Sequence, residues 1–183
     1  MGERETMLAG VPYDPTDPEL VAARARARRL TQRYAVTADE ELELRRALLG
    51  ELLGSAGEGL WIEPPFFCDY GEHIAIGPRT FLNFNCVILD CAAVTIGADV
   101  LIGPAVQIYA ATHPLDTEER RAKVELARPV TVGDNVWLGG GAIVCPGVTI
   151  GENTVVGAGS VVTRDLPANV VAVGNPCRVV RPL

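Results

Sequence analysis

The stretch YAATHPLD, Tyr109 to Asp116, holds one of only two histidines in the 183-residue chain. Imidazole is the side chain whose ordinary pKa lets it accept a proton near neutral pH, so His113 is the first candidate for general-base chemistry. The plain alternative is a surface-loop histidine that only hydrogen-bonds. A base of this kind needs an acceptor for its other ring nitrogen, and a carboxylate or a backbone carbonyl would serve. The second histidine, His73 in YGEHIAIG, has no partner that the sequence names and is expected to pack or to face water. Asn83 and Asp90 interrupt the apolar run FLNFNCVILD. Buried polar groups there must be satisfied by ladders inside the fold or by a bound polyol. Cys68, Cys86, Cys91, Cys145 and Cys177 are odd in number and form no C-x-x-C, so they are expected to be reduced core thiols, with no disulfide frame and no metal site.

Such groups need a rigid mount, and an internal repeat supplies it. Val132, Leu138, Val144, Ile150, Val156 and Val162 stand six residues apart. Four residues after each of the first five come Val136, Ala142, Val148, Thr154 and Ser160, all small or β-branched. Ile76, Leu82, Ile88 and Val94 keep the same period, and after a shift of two residues Ile96, Ile102 and Ile108 resume it. A helix would smear a six-residue period around its circumference. A short strand and a corner per hexad, three hexads to a triangular coil, stacks the aliphatic residues into one inner column. The two-residue shift predicts a bulged corner near Asp90 to Ala93, and the long break from Tyr109 to Pro129 predicts a loop leaving the wall, with His113 at its root.

The N-terminal third reads as helix. Asp17 is placed to cap a helix opened by Pro18 and Glu19, with Leu20, Ala23, Ala27, Leu30 and Tyr34 as its buried stripe. Thr37 and Glu40 spell a capping box before a second helix that carries Leu42, Leu48, Leu49, Leu52 and Leu53 and ends at Gly54. The expected organisation is a helical segment over 1–55 and a coil domain over 56–183 that includes the loop 109–129 and a C-terminal tail.

A net charge of −7 argues against binding nucleic acid or an anionic membrane surface. MGERETMLAG has no signal-peptide core, and nowhere do about 18 apolar residues run together. A cytoplasmic protein is the expectation.

The hexads followed by NPCRVVRPL resemble the hexapeptide-repeat acyltransferases, which implies a mainly β, left-handed parallel β-helix. More specifically, MLAGVPYDPTDPEL, EPPFFCDYG, NFNCVILD, THPLD, VTVGDNVWLGGGAIVCPGVTIG and VVAVGNPCRVV together resemble the maltose and galactoside O-acetyltransferases, with the nodulation acetyltransferases alongside. The likeness covers nearly the whole chain. It implies direct acetyl transfer from acetyl-CoA to a hydroxyl of a sugar or sugar-like acceptor, with no metal, in a homotrimer whose sites form between neighbouring chains. His113 would be the general base. Glu125, in VELARPV, matches a glutamate in the same loop of maltose acetyltransferases and would fix the imidazole. Gly140, within Gly139 to Gly141, would donate its N–H to the oxyanion. Asn83 matches an acceptor-binding asparagine, and Asp90, Asp69 and Asp17 are further acceptor-binding candidates. Trp137, Gly140, Ala158, Thr163, Arg164, Arg178 and Arg181 would line the coenzyme groove, the arginines meeting its phosphates. Where galactoside enzymes carry a second aspartate this chain has Cys91, and their N-terminal acceptor aspartate falls at Pro15, or at Asp17 after a shift.

Three other readings compete. A zinc carbonic anhydrase on the same fold needs three ligands, more than two distant histidines supply. A xenobiotic acetyltransferase keeps the chemistry but usually lacks the helical start. A catalytically silent oligomeric scaffold would have no use for His113 beside a coenzyme-binding tail.

Overall fold

The six-residue column is the inner wall of a parallel β-helix. In the computed structural model, which describes residues 2–183, every aliphatic hexad position named above is buried, from Ile76 to Val162. Each such side chain contributes on the order of 1.5–3 kcal/mol by leaving water. The positions four residues on, Val136 to Ser160, are buried as well.

The strands stack into three faces. The first runs through Ser55–Ala56, Ile74–Ile76, Val94–Ile96, Val130–Val132 and Thr149–Ile150. The second runs through Trp61–Ile62, Phe81–Leu82, Leu101–Ile102, Trp137–Leu138, Val155–Val156 and Val170–Val173, and is closed by the antiparallel strand Arg178–Pro182. The third holds Phe66–Cys68, Cys86–Leu89, Gln107–Tyr109, Ile143–Val144 and Val161–Val162. Because side chains alternate along a strand, the outward residues form registered rows. On the first face that row is Thr95, Thr131 and Thr149, all exposed. On the second it is Trp61, Phe81, Leu101, Trp137, Val155 and Val171. The third face is also mainly apolar, with Phe67, Val87, Gln107, Ile143 and Val161 in register.

All departures from the hexad period fall at one corner, between the third and first faces. Val132 pairs with Ile150, eighteen residues on, as three hexads require. Ile74 pairs with Val94, twenty on, and Val94 with Val130, thirty-six on. The surplus residues lie at Asp69–His73, at Asp90–Ala93 and in the segment 110–129, one above another. The expected bulge near Asp90 is therefore one of three stacked irregularities. The earliest precedes Ile76, where the sequence offered no register to reveal it.

The corner between the first and second faces is held differently. Arg79, Asp99, Asn135, Asn153 and Asn169 all have φ between 54° and 60°. Three of them form a side-chain ladder: Asn135 Nδ2 donates to Asn153 Oδ1 at 3.0 Å, and Asn153 Nδ2 to Asn169 Oδ1 at 2.8 Å. Asparagine suits both demands, since it tolerates the left-handed region and carries a donor and an acceptor. Asn153→Ala is expected to lower stability by about 2–3 kcal/mol through two lost hydrogen bonds and a strained φ. Asn153→Gly relieves the backbone and should cost less, a difference that urea unfolding would read.

Helices α1 (Glu3–Leu8), α2 (Pro18–Ala35) and α3 (Leu42–Leu52) cover the start of the coil. Asp17 caps α2 as expected, its carboxylate accepting the Glu19 N–H at 2.9 Å, and Leu20, Ala27, Leu30 and Tyr34 are buried with Ala23 at the edge. The capping box of Thr37 and Glu40 does not form. Thr37 instead donates to Tyr34 O and accepts from Nε of Arg45, a buried guanidinium, and α3 begins only after Glu41. Gly54 ends the segment for another reason than a left-handed cap: a Cβ there would lie 2.2 Å from Glu72 O. The short helices α1 and α4 (Thr117–Arg121) were not legible in the sequence.

Candidate active site

The irregular corner opens a cavity of about 300 Å³. His113 lines it with Glu125, Asp69, Cys91, Arg24 and Tyr70, and Pro15 closes it from the N-terminal segment. A larger hollow of about 580 Å³ between α3 and Gly57–Leu60 holds no histidine, and its charged lining is Arg46 and Glu58. The corner is therefore the candidate site.

The loop root explains how His113 is mounted. Ala111–Thr112 and Leu126–Ala127 form an antiparallel ladder, Ala111 opposite Ala127 and Thr112 opposite Leu126. The next place in that register sets Glu125 across from His113. His113 itself is exposed, so its ring is open to the cavity. Glu125 does not hydrogen-bond to His113 in the free chain. Its carboxylate accepts from the Tyr13 hydroxyl at 2.8 Å instead.

Asp69 is the carboxylate that faces the cavity from the coil. Its burial raises its pKa above the ordinary carboxylate value, and the Cys91 thiol donates to its Oδ2 at 3.5 Å. Burial likewise pushes the Cys91 and Tyr70 groups upward, so both stay protonated donors. Arg24 crosses from α2, its guanidinium donating to Tyr70 OH at 2.7 Å and to Pro15 O. Its ring contact places the charge 5.7 Å from the Tyr70 centroid.

The other three acceptor-binding candidates do not line this cavity in the single chain. Asp90 is fully buried, and its carboxylate accepts the N–H groups of Tyr70 at 2.8 Å, Asp69 at 3.1 Å and His73 at 3.3 Å. Of the two ways to satisfy it, the internal one is seen in the free chain: Asp90 braces the corner beneath the cavity. The partner that the sequence could not name for His73 is the Asp90 carbonyl, which accepts from Nδ1 at 2.7 Å. Asp17 is occupied as a helix cap, and Pro15 stands at the cavity in its place. Asn83 lies at a different corner, between the second and third faces, where its Oδ1 accepts the Phe84 N–H at 2.7 Å.

That second corner also carries Gly140 and Ala158. The N–H groups of Gly139 and Gly141 are taken by Val156 O and Pro104 O, both at 2.8 Å, whereas Gly140 N–H enters no backbone hydrogen bond among the described residues. Gly140 is flanked closely, since a Cβ on Gly103 would lie 2.6 Å from its nitrogen. Trp137 projects from the second face, about half exposed, and Arg178 and Arg181 flank the same sheet on its last strand. Thr163 and Arg164, by contrast, follow Val161–Val162 and sit on the His113 side of the prism. One chain thus divides the expected site residues between two corners and the second face, with the third face between the corners.

Missed by the sequence were Tyr13, Arg24 and Tyr70. None of the three carried a signal, since the two-residue surplus beside Tyr70 precedes the first hexad position, Ile76. Among the described residues, no cluster of three or more His, Cys, Asp or Glu side chains is arranged to hold a metal ion, and no helix is long and apolar enough to cross a membrane.

Comparison with known proteins identifies the family. Residues 6–57 match the family described as maltose acetyltransferase hexapeptide capping motif, and residues 129–164 match bacterial transferase hexapeptide (six repeats). Nodulation protein L of Rhizobium meliloti (strain 1021) is 54% identical over 177 residues, covering 97% of each chain. The crystal structure of a maltose O-acetyltransferase from Clostridium difficile 630 superposes with a TM-score of 0.98 at 46% identity, over 100% of this chain and 98% of that one. A hexapeptide-repeat acetyltransferase of Vibrio cholerae O1 biovar eltor, complexed with acetyl coenzyme A, gives 0.93 at 43% identity, over 100% and 99%. With likeness of this degree over nearly its full length, the chain belongs to the hexapeptide-repeat acetyltransferases of the maltose O-acetyltransferase type and is an acyltransferase.

Proposed function

We propose that the protein transfers the acetyl group of acetyl-CoA directly to a hydroxyl of a sugar or sugar-like acceptor, with His113 as general base. The observation that carries the reading is the cavity itself: an exposed imidazole at the root of a rigid ladder, facing carboxylate, thiol and guanidinium groups that suit a polyol. In this reading His113 takes the acceptor's hydroxyl proton as the oxygen attacks the thioester carbonyl. The free Gly140 N–H stabilises the oxyanion, the carbon–sulfur bond breaks, and the imidazolium returns its proton to the departing thiolate.

A homotrimer is part of the same proposal. His113 and Asp69 stand at one corner, Gly140, Ala158 and Asn83 at another, so a complete site requires the first corner of one copy to meet the second corner of the next. The apolar outward rows of the second and third faces support such packing, in contrast to the threonine row of the first. Trp137, Arg178 and Arg181 on the second face and Thr163 and Arg164 beyond the third would then border one coenzyme groove. Residues 1–55 cap the coil, residues 56–183 carry the groove, and the enzyme works in the cytoplasm, where its five free cysteines stay reduced.

The test is thiol release from acetyl-CoA with maltose, glucose, galactosides and chloramphenicol-like alcohols as acceptors, together with the solution mass by light scattering. Turnover on a sugar by a species of three chains is the expected result. Turnover confined to the antibiotic-like alcohols would replace the sugar reading with the xenobiotic one, and failure to bind coenzyme A would end both.

A further inference from the structure

The segment before α2 contributes no strand to the coil, yet it is fastened to the loop that carries His113. Tyr13 is 3% exposed. Its N–H donates to Glu125 O and the Glu125 N–H donates back to Tyr13 O, both at 3.1 Å, a one-residue antiparallel bridge. The phenol then donates to Glu125 Oε2 at 2.8 Å. His113, Glu125 and Tyr13 therefore stand in one row across three adjacent chain segments, with Glu125 in the middle.

The neighbouring contacts keep this row in place. Gly10, at φ +70°, lets the strap run close to the loop ladder, since a Cβ there would lie 3.2 Å from Ala127 O. The Asp14 N–H donates to Glu3 Oε2 at 2.7 Å, tying the strap to α1, and Arg24 holds Pro15 O. A glutamate side chain has three rotatable bonds and gains nothing for catalysis until one oxygen is fixed. Among the described residues, the hydrogen bonds of Glu125 all run to Tyr13. Burial holds the phenol far above its ordinary pKa, so its oxygen remains a donor throughout the working range.

We propose that Tyr13 is a positioning residue: its hydroxyl anchors Glu125 through Oε2 and leaves Oε1 free for the cavity, where it fixes the His113 imidazole. The proposal rests on the reading of His113 as base and deepens it by making the N-terminal strap part of the catalytic apparatus.

The test compares the native full chain with Tyr13→Phe, Glu125→Ala and the double variant. Ring nitrogen spectra of protein labelled at histidine need no acceptor, and with two histidines in the chain they report His113 and His73 separately. Tyr13→Phe is expected to move the His113 signals toward their positions in Glu125→Ala, to leave those of His73 in place, and to add nothing in the double variant. With maltose or whichever acceptor of the panel turns over, kcat should fall roughly tenfold, the scale of one lost hydrogen bond to a charged group. KM for acetyl-CoA should hold, and the loss should vanish in the Glu125→Ala background. Unmoved His113 signals in Tyr13→Phe overturn the proposal. So does an equal kcat loss in the Glu125→Ala background, because the hydroxyl would then act elsewhere. Turnover that survives His113→Ala removes the base reading and the proposal with it, and is told apart because it shows in a variant that leaves the strap untouched.

Discussion

His113→Ala is expected to lower kcat by roughly 10²–10⁴-fold, the usual contribution of a positioned general base. Thermal stability should stay within about 0.5 kcal/mol of native, as for other exposed side chains without partners. The two halves of that result are linked by the structure. The imidazole is exposed at the end of a ladder and makes no hydrogen bond among the described residues, so its removal breaks no contact. Coenzyme binding and solution mass should be those of the native protein, because Gly140, Trp137, Arg178 and Arg181 lie on another corner or face of the chain. Thiol release with the best acceptor, measured beside coenzyme binding by calorimetry, checks both. A silent scaffold would show no loss in either, and a purely structural histidine would lose stability before activity.

The second large effect is on stability. Asp90→Ala would strand the N–H groups of Asp69, Tyr70 and His73 and leave a void where a fully buried carboxylate stood. Unsatisfied buried donors cost about 1–3 kcal/mol each, so a total loss of about 3–5 kcal/mol, or on the order of 10 °C in Tm, is expected. Asp90→Asn keeps one acceptor oxygen and should lose less. If Asp90 contacted the acceptor instead, either variant would raise the acceptor KM and spare stability.

The same carboxyl gives a pH signature. Burial pushes its pKa up to about 6 against the opposing pull of the Tyr70 N–H and the neighbouring His73. A carboxyl held more tightly protonated in the fold than in the unfolded chain adds stability fully present below about pH 4, which is lost as pH rises through about 6. The stability of the native protein relative to Asp90→Asn should therefore fall between those limits and be level above them, as thermal unfolding across that range would read.

How much of this was legible in the sequence follows from what each residue depends on. The coil was legible, because a six-residue column of Ile, Val and Leu is a local pattern and any other residue there would leave the core. The placement of His113 was legible for the opposite reason: it stands where the pattern breaks, and the break is where the cavity opens. Asp90 was only half legible, since a carboxylate in an apolar run declares that it has a partner but not which one. Thr37 and Glu40 spelled a cap, yet the buried Arg45 claimed the threonine hydroxyl. Glu125 was named by likeness alone, and the ladder through Ala111 and Ala127 supplies the physical reason for its placement.

The sequence by itself determined the repeat, the inward and outward rows and the rigid mount, all properties of residues a few places apart. Only the tertiary structure decided the composition of the site. Tyr13, Arg24, Asp69 and Glu125 are separated by more than a hundred residues from first to last, and no local pattern links them. They meet because three stacked corners exceed the coil's period and cannot lie flat against it, and the N-terminal strap packs over the opening that this leaves.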